Sequence, residues 1–421
     1  MTRSMVAPYS PANDVSDKPE SLSRYYLLFF SSGFPALLYQ IVWQRALFTI
    51  YGVNIQSVTV IVTVFMLGLG LGSLAGGRLS AISKIQTLRA FGFIELCIGA
   101  FGVCSLSLFH YVAQFTAGAS TAATGISTFF LLLIPTLLMG STLPLLVAFL
   151  VRRSGNVGES VGSLYAANTL GSAVACLLAA LCLMRLLGET GSVRLAASLN
   201  FLVGTVAVLL ASRAASTPPL PTPSVRSEQD QSHPTISMGT GMVLAAAVGF
   251  IALAYEILWY HIYSFTSGGT ASCFAYLLAF YLFGIAYGSL AVHDACRQKL
   301  KNDLPRTLRA ASRIVVLGTI AAFLVGPALA FSVSSGKISY IVTFPFIAIV
   351  AALLGAAFPI LSHTTIGPTE QAGKRLSYLY LSNIIGSALG SFVIGFVVLD
   401  HLSTRQTSLL LLGLEIGRAH V

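Results

Sequence analysis

The chain has 421 residues, of which 55% are hydrophobic and only 9% charged. An average soluble domain carries about 25% charged residues, so there is too little charge here to cover a water-facing surface, and lipid must meet much of the chain. Lysine and arginine outnumber aspartate and glutamate 24 to 14, but the basic residues sit at the ends of alternate apolar segments, which points to membrane topology and away from a nucleic-acid partner.

Residues 1–24 are polar and include Pro8, Pro11, Asp14 and Lys18. They lack the apolar core and small-residue cleavage site of a signal peptide, so they read as a cytoplasmic tail. A hydrocarbon core about 30 Å thick needs roughly 20 apolar residues per helix. Segments of that kind run over 25–51, 55–79, 88–111, 126–151, 159–187 and 192–212, then over 241–265, 270–292, 312–332, 338–362, 376–399 and from about 405. Between the two sets, residues 213–240 are rich in Pro and Ser and read as a flexible cytoplasmic linker. Six cysteines, Cys97, Cys104, Cys176, Cys182, Cys273 and Cys296, lie in or beside apolar segments with no CxxC pair. They read as small core residues, and no metal site is expected.

Basic residues fix the orientation. Arg3, Lys18 and Arg24 precede the first segment; Arg78, Lys84 and Arg89 follow the second; Arg152 and Arg153 follow the fourth; Lys374 and Arg375 follow the tenth. A dense group from Arg297 to Arg313 follows the eighth, whereas the opposite side holds Arg185, Arg194, Lys337 and Arg405. The excess places the N-terminus in the cytoplasm.

The two sets of segments repeat one another. GFPALLYQIVWQR (33–45) aligns with GFIALAYEILWYH (249–261), and FMLGLGLGSLA (65–75) with YLFGIAYGSLA (281–291). Gly140 and Pro144 match Gly355 and Pro359, and YAANTLGSA (165–173) matches YLSNIIGSA (380–388). Six segments per copy is an even number, so both copies enter the membrane in the same sense. The fold expected is all-α and polytopic, about twelve transmembrane helices as two parallel six-helix repeats related by an axis along the membrane normal, with a path between them.

The candidate site residues come from the first repeated block. Tyr39 and Trp43 share a helix face, as do Tyr255 and Trp259, with Gln40 and Glu256 beside them. Aromatics next to a carboxylate suit an organic cation, and an ionisable residue inside the membrane is a functional candidate because it is costly there. Glu256 is the leading candidate, with His261 close by on the same segment. Glu95 is a second intramembrane carboxylate, with Arg45 as a candidate partner. Asn168 and Asn383 stand at matched positions and suit hydrogen bonds across helices. The glycine runs near 68–72 and 284–288 lie within membrane segments with no strand before them, which suits close helix packing and not phosphate binding. No catalytic constellation and no cofactor loop is present in the sequence.

GFPALLYQIVWQR, FMLGLGLGSLAGGRL, PTLLMGSTLPLL and LYAANTLGSAVA together resemble, over residues 25–414, the membrane domain of the fused major-facilitator/spermidine-synthase-like proteins of bacteria. The resemblance implies a facilitator-like module in the bacterial inner (cell) membrane, joined in cis to a soluble aminopropyltransferase-like domain. That domain would have a Rossmann-like fold and bind decarboxylated S-adenosylmethionine and a diamine. Its cofactor loop and acidic diamine site are absent from these residues, so no catalytic residue and no cofactor carries over. The stretch GSLAGGRLS resembles the facilitator loop between the second and third helices but lacks its acidic residue.

The last seven residues, EIGRAHV, look like a translated sequencing adapter, and the twelfth segment stops short of its counterpart in the first half. The expected organisation is therefore a tail (1–24), a first repeat (25–212), the linker (213–240), a second repeat with a cut last helix (241–414) and a non-native tail (415–421). Two functional readings follow. One is a transporter-like membrane protein for an amine, a polyamine or another small polar solute, with the bilayer and a small cation as partners. The other is the membrane anchor of a spermidine-synthase-like enzyme whose catalytic domain lies beyond the cut.

Overall fold

The computed structural model describes residues 22–51, 55–82, 84–116, 121–154, 156–216, 236–268, 271–298, 304–334, 343–367, 369 and 371–419. The sequence expectations for residues 1–21, for most of the linker and for the last two residues lie outside these.

The described residues form twelve helices. The first half holds α1 (Ser23–Tyr51), α2 (Ile55–Leu79), α3 (Lys84–Phe115), α4 (Thr121–Ser154), α5 (Val157–Leu178, running on to Leu186) and α6 (Gly188–Ser216). The second half holds α7 (Met238–Thr266), α8 (Ala271–Gln298), α9 (Leu304–Ser334), α10 (Phe344–Gly355 and Ala357–Thr365), α11 (Ala372–Phe392, running on to His401) and α12 (Thr404–Ala419). Among the described residues, nine stretches of 20 to 30 residues are long and apolar enough to cross a bilayer, and Val64–Leu79 and Ile320–Ser332 are two shorter apolar ones. The chain is a multi-pass membrane protein, with the lipid bilayer as its surroundings.

Local sequence explains several boundaries. The Asn156 side chain accepts the Glu159 amide at 3.1 Å and starts α5, while Ser237 accepts the Thr240 amide at 3.1 Å and starts α7. Both satisfy an amide that the first turn leaves unpaired. Pro35, Pro135 and Pro144 lie inside helices, which packed membrane helices tolerate because neighbours re-satisfy the freed carbonyls. A π-helical turn interrupts α5 at Ala179–Leu183 and α11 at Val393–Val398, the same place in each copy.

Packing follows the repeat. Helix α1 packs on α5 and α7 on α11; α2 packs on α4 and α8 on α10; α3 packs on α6 and α9 on α12. The halves meet through α5 with α8 and α2 with α11. In lipid no aqueous hydrophobic effect draws helices together, so close contact depends on small residues. A Cβ at Gly33 would strike the Asn168 carbonyl oxygen, and a Cβ at Gly249 would strike that of Asn383. Both asparagines also donate across the same seams, Asn168 Nδ2 to the Phe29 carbonyl at 3.3 Å and Asn383 Nδ2 to the Ala245 carbonyl at 3.0 Å.

Three large apolar cores stand out among the described residues. One lies within the first half around Tyr39, Trp43 and Phe65, and one within the second half around Tyr255, Trp259 and Phe344. A third joins both halves, bringing Tyr25, Leu150 and Val161 together with Phe358, Leu361 and Leu376. These last residues lie near the starts of α1, α5 and α11 and the ends of α4 and α10, so this core closes the face on which the chain begins. On that face Arg152 donates to the Ile82 carbonyl at 2.8 Å and the Ser80 carbonyl at 2.5 Å, fastening the end of α4 to the α2–α3 turn.

Candidate functional site

A cavity of about 90 Å³ opens between the first-half helices, and Tyr380 of α11 closes it from the second half. Helix α1 contributes Phe29, Ser32 and Gln40 to its wall, α4 contributes Thr142, α5 contributes Tyr165 and Asn168, and α6 contributes Asn200. No lysine, arginine or histidine lines it.

Directly behind this wall lies Glu95 of α3, which is fully buried. Ser32 Oγ donates to Glu95 Oε1 at 2.5 Å, and Asn200 Nδ2 donates to Glu95 Oε2 at 2.7 Å. Both donors also line the cavity, so the carboxylate is one side chain away from it on two sides. A carboxylate at this depth is tolerable only with such partners. The site exists because α3 packs on both α1 and α6, which brings residues 63 and 105 positions apart in sequence onto one carboxyl group. Tyr39 also approaches Glu95 closely enough for an electrostatic interaction, and its hydroxyl is buried with no hydrogen-bond partner among the described residues.

The sequence candidates divide into distinct groups. Gln40 and Asn168 reach the cavity wall. Tyr39 and Trp43 are stacked at 4.9 Å but fully buried, with Trp43 Nε1 donating to Ser105 Oγ at 2.9 Å and Phe101 and Phe109 set edge-on to the indole. Tyr255 and Trp259 repeat the stack at 5.4 Å, also within a core. Neither aromatic pair lines the cavity.

Glu256 is buried on α7 with no hydrogen bond or ion pair among the described residues, and it interacts electrostatically with Cys176 of α5. It therefore faces the junction of the halves, away from the cavity wall. His261 is partly buried, with its Nδ1 unpartnered among the described residues. Asn383 is engaged at its helix seam.

The pairing of Arg45 with Glu95 is corrected. Arg45 instead meets Glu189 at the start of α6, at 3.5 Å and in an exposed position. Arg45 stands 13 residues beyond Ser32 on α1, about 20 Å along a helix axis, so it cannot reach a carboxylate held at the level of Ser32. Ser32, Thr142, Tyr165, Asn200 and Tyr380 are polar residues of the site that the sequence reading missed. Asn200 carried a usable signal, as a lone amide in the apolar stretch 192–212. Ser32 carried none, because serine is common in membrane helices. Among the described residues, no three His, Cys, Asp or Glu side chains converge in a way that would hold a metal ion.

The fold is that of major facilitator transporters. The chain is similar to the proton:xylose symporter XylE bound to 6-bromo-6-deoxy-D-glucose, with a TM-score of 0.62 at 10% identity over 96% of this chain and 95% of that one. It is similar to a bacterial homologue of the iron transporter ferroportin in an outward-facing state with soaked iron, with a TM-score of 0.61 at 11% identity, covering 94% and 96% of the two chains. It also matches the Escherichia coli fucose:proton symporter FucP, with a TM-score of 0.58 at 12% identity over 95% and 99%. In sequence it is 30% identical over 163 residues to polyamine aminopropyltransferase 2 of Streptomyces coelicolor, a stretch covering 38% of this chain. The match spans 28% of that relative's length. No family model matches the chain. Together with the apolar helices, these likenesses give the chain the fold of a multi-pass membrane protein.

Proposed function

We propose that this protein moves a small amine or another small polar, cationic solute across the bacterial inner membrane, with its N-terminus in the cytoplasm. The observation that carries the reading is the cavity with Glu95 behind its wall. A wall with hydroxyls, amides and aromatic faces but no basic group suits a cation and disfavours an anion. The buried carboxylate of Glu95, hydrogen-bonded to two residues of that wall, supplies the negative charge behind it. Basic residues at the ends of alternate segments support the orientation.

Size limits the occupant. An engineered cavity of about 150 Å³ holds benzene, so one of about 90 Å³ takes an ammonium head group or a few waters. A longer amine requires the halves to part. The test is uptake into vesicles reconstituted with the purified chain, using labelled methylammonium, putrescine, a hexose and an amino acid. Faster uptake of the amines than in protein-free vesicles is expected; uptake of the hexose alone, or of nothing, overturns the reading.

A second reading is favoured by the match to a polyamine aminopropyltransferase and by the resemblance of the repeated blocks. In it the chain is the membrane module of a fused protein, and its cargo is the substrate or product of an aminopropyltransferase-like domain in cis. Sequencing the natural gene past codon 414 tests it; a stop soon after the twelfth helix removes it.

A further inference from the structure

One polar atom on a cavity-lining side chain carries no hydrogen bond among the described residues. Asn200 is 1% exposed, and while its Nδ2 donates to Glu95, its Oδ1 is buried without a partner among the described residues. The same side chain lines the cavity. An ionised carboxylate only accepts hydrogen bonds, so it takes the Ser32 hydroxyl and the donor end of the amide, leaving the acceptor end for something else. An ammonium group in the cavity would donate to that oxygen.

A proton on Glu95 Oε2 changes the pairing. That oxygen becomes a donor facing the Nδ2 donor, and a half-turn of the amide lets Oδ1 accept from it. The half-turn sends the NH₂ group to where Oδ1 stood, and a donor there repels an ammonium group. We propose that Glu95 and Asn200 form a proton-set amide switch that admits a primary ammonium group to the cavity only while Glu95 is ionised. This rests on the reading of the cavity as an amine site. It makes the exchange one cation for one proton: the ammonium enters with its charge as the carboxyl proton leaves, and no bond other than O–H breaks.

Among the described residues, no carboxylate and no basic side chain lines the cavity; the ionisable groups on its wall are the phenols of Tyr165 and Tyr380, and Cys97 on α3 is exposed. Helices α1, α4 and α6 pack on α3. On α1 the titratable group facing Glu95 is Tyr39. Arg24 and Arg45 lie eight and 13 residues from Ser32 on that helix, and Glu189, Arg194 and Arg213 lie six or more from Asn200 on α6. On α4, Arg152 and Arg153 lie at the far end, where Arg152 is bonded to the α2–α3 turn. On α3 itself Arg89 and His110 are six and 15 residues away.

The experiment is calorimetric titration of methylammonium into the purified full chain in detergent, in two buffers of different ionisation enthalpy, which counts protons released per cation bound. The wild-type protein should release close to one proton and bind more tightly as pH rises. Glu95→Gln should lower affinity about tenfold or more, the scale of a lost hydrogen bond to a charged group, and abolish proton release. Asn200→Leu should also lose proton release, while Ser32→Ala should keep it. If Glu95→Gln fails to fold, Glu95→Asp should retain release with a displaced pH midpoint, and a wild-type-like midpoint there overturns the switch.

Other outcomes also overturn it. These are undiminished release in Glu95→Gln, absence of any methylammonium binding by the wild type, or loss of release in Ser32→Ala with none in Asn200→Leu. The last would put the proton on Oε1 and leave the amide a bystander. Proton-linked binding without vesicle uptake would instead sink the transport reading and leave the switch standing. Amine uptake with unchanged pH dependence in both Glu95 and Asn200 variants would do the reverse.

Discussion

The seam between α1 and α5 closes with Gly33 against Asn168, and the seam between α7 and α11 closes with Gly249 against Asn383, each locked by an asparagine-to-carbonyl bond. The carboxylates do not repeat in this way. At the repeat spacing, Glu95, Ser32 and Ser105 correspond to Ala311, Val248 and Ala321, while Glu256 corresponds to Gln40. The contrast separates two kinds of requirement. Helix packing in lipid needs the same small residues wherever the same pair of helices meets. Polar chemistry is needed only where a solute or a proton is handled, and a costly buried charge is not duplicated without a use.

The largest effect should come from breaking the shared seams. Gly33→Ala and Gly249→Ala each drive a methyl group into a backbone carbonyl, which relaxes only if a helix moves. Overpacking costs about 1–3 kcal/mol, occasionally more. The melting temperature of the detergent-solubilised protein should fall for both, and by comparable amounts. Tolerance at one position alone would mean that the two seams are not equivalent.

The carboxylates provide the sharpest test of divergence. Glu95→Gln should weaken methylammonium binding about tenfold or more, whereas Glu256→Gln should leave it unchanged because Glu256 lies outside the cavity wall. Equal losses from the two substitutions would return Glu256 to the solute path. Aromatic substitutions come next. Trp43→Phe and Trp259→Phe remove the same volume, but only the first breaks a bond to Ser105, so it should cost about 1 kcal/mol more in chemical unfolding. The smallest effect should be Arg45→Ala, which breaks an exposed ion pair with Glu189 and should change stability by about 0–1 kcal/mol. A larger loss would show that this pair holds α1 to α6.

The architecture was legible because it is written in repetition. Twelve apolar stretches and four matched blocks specify the helices and their arrangement as two copies without any knowledge of distances. Glycine and asparagine positions were readable for the same reason, since backbone approach leaves a small residue at a fixed offset. The site was readable only in part. Glu95 stood out as a charge within an apolar stretch, but the groups that hold it come from α1 and α6, and neither Ser32 nor Asn200 has a repeated partner to draw attention to it. The aromatic block drew the reading toward Tyr255 and Trp259 because aromatics beside a carboxylate look the same in sequence whether they wall a site or fill a core. Burial separates the two, and burial depends on which helices come to surround them.

The pairing of helices also has a consequence for biogenesis. Helices α1, α2 and α3 find α5, α4 and α6 within the first half, so all three of that half's main pairings are available once α6 has left the ribosome. The second half completes its own set in the same way. What remains is a single docking event through α5 with α8 and α2 with α11, seams that have no need of a continuous chain. The pairing predicts two foldings and one association, with the joint core under Tyr25 and Leu376 forming last.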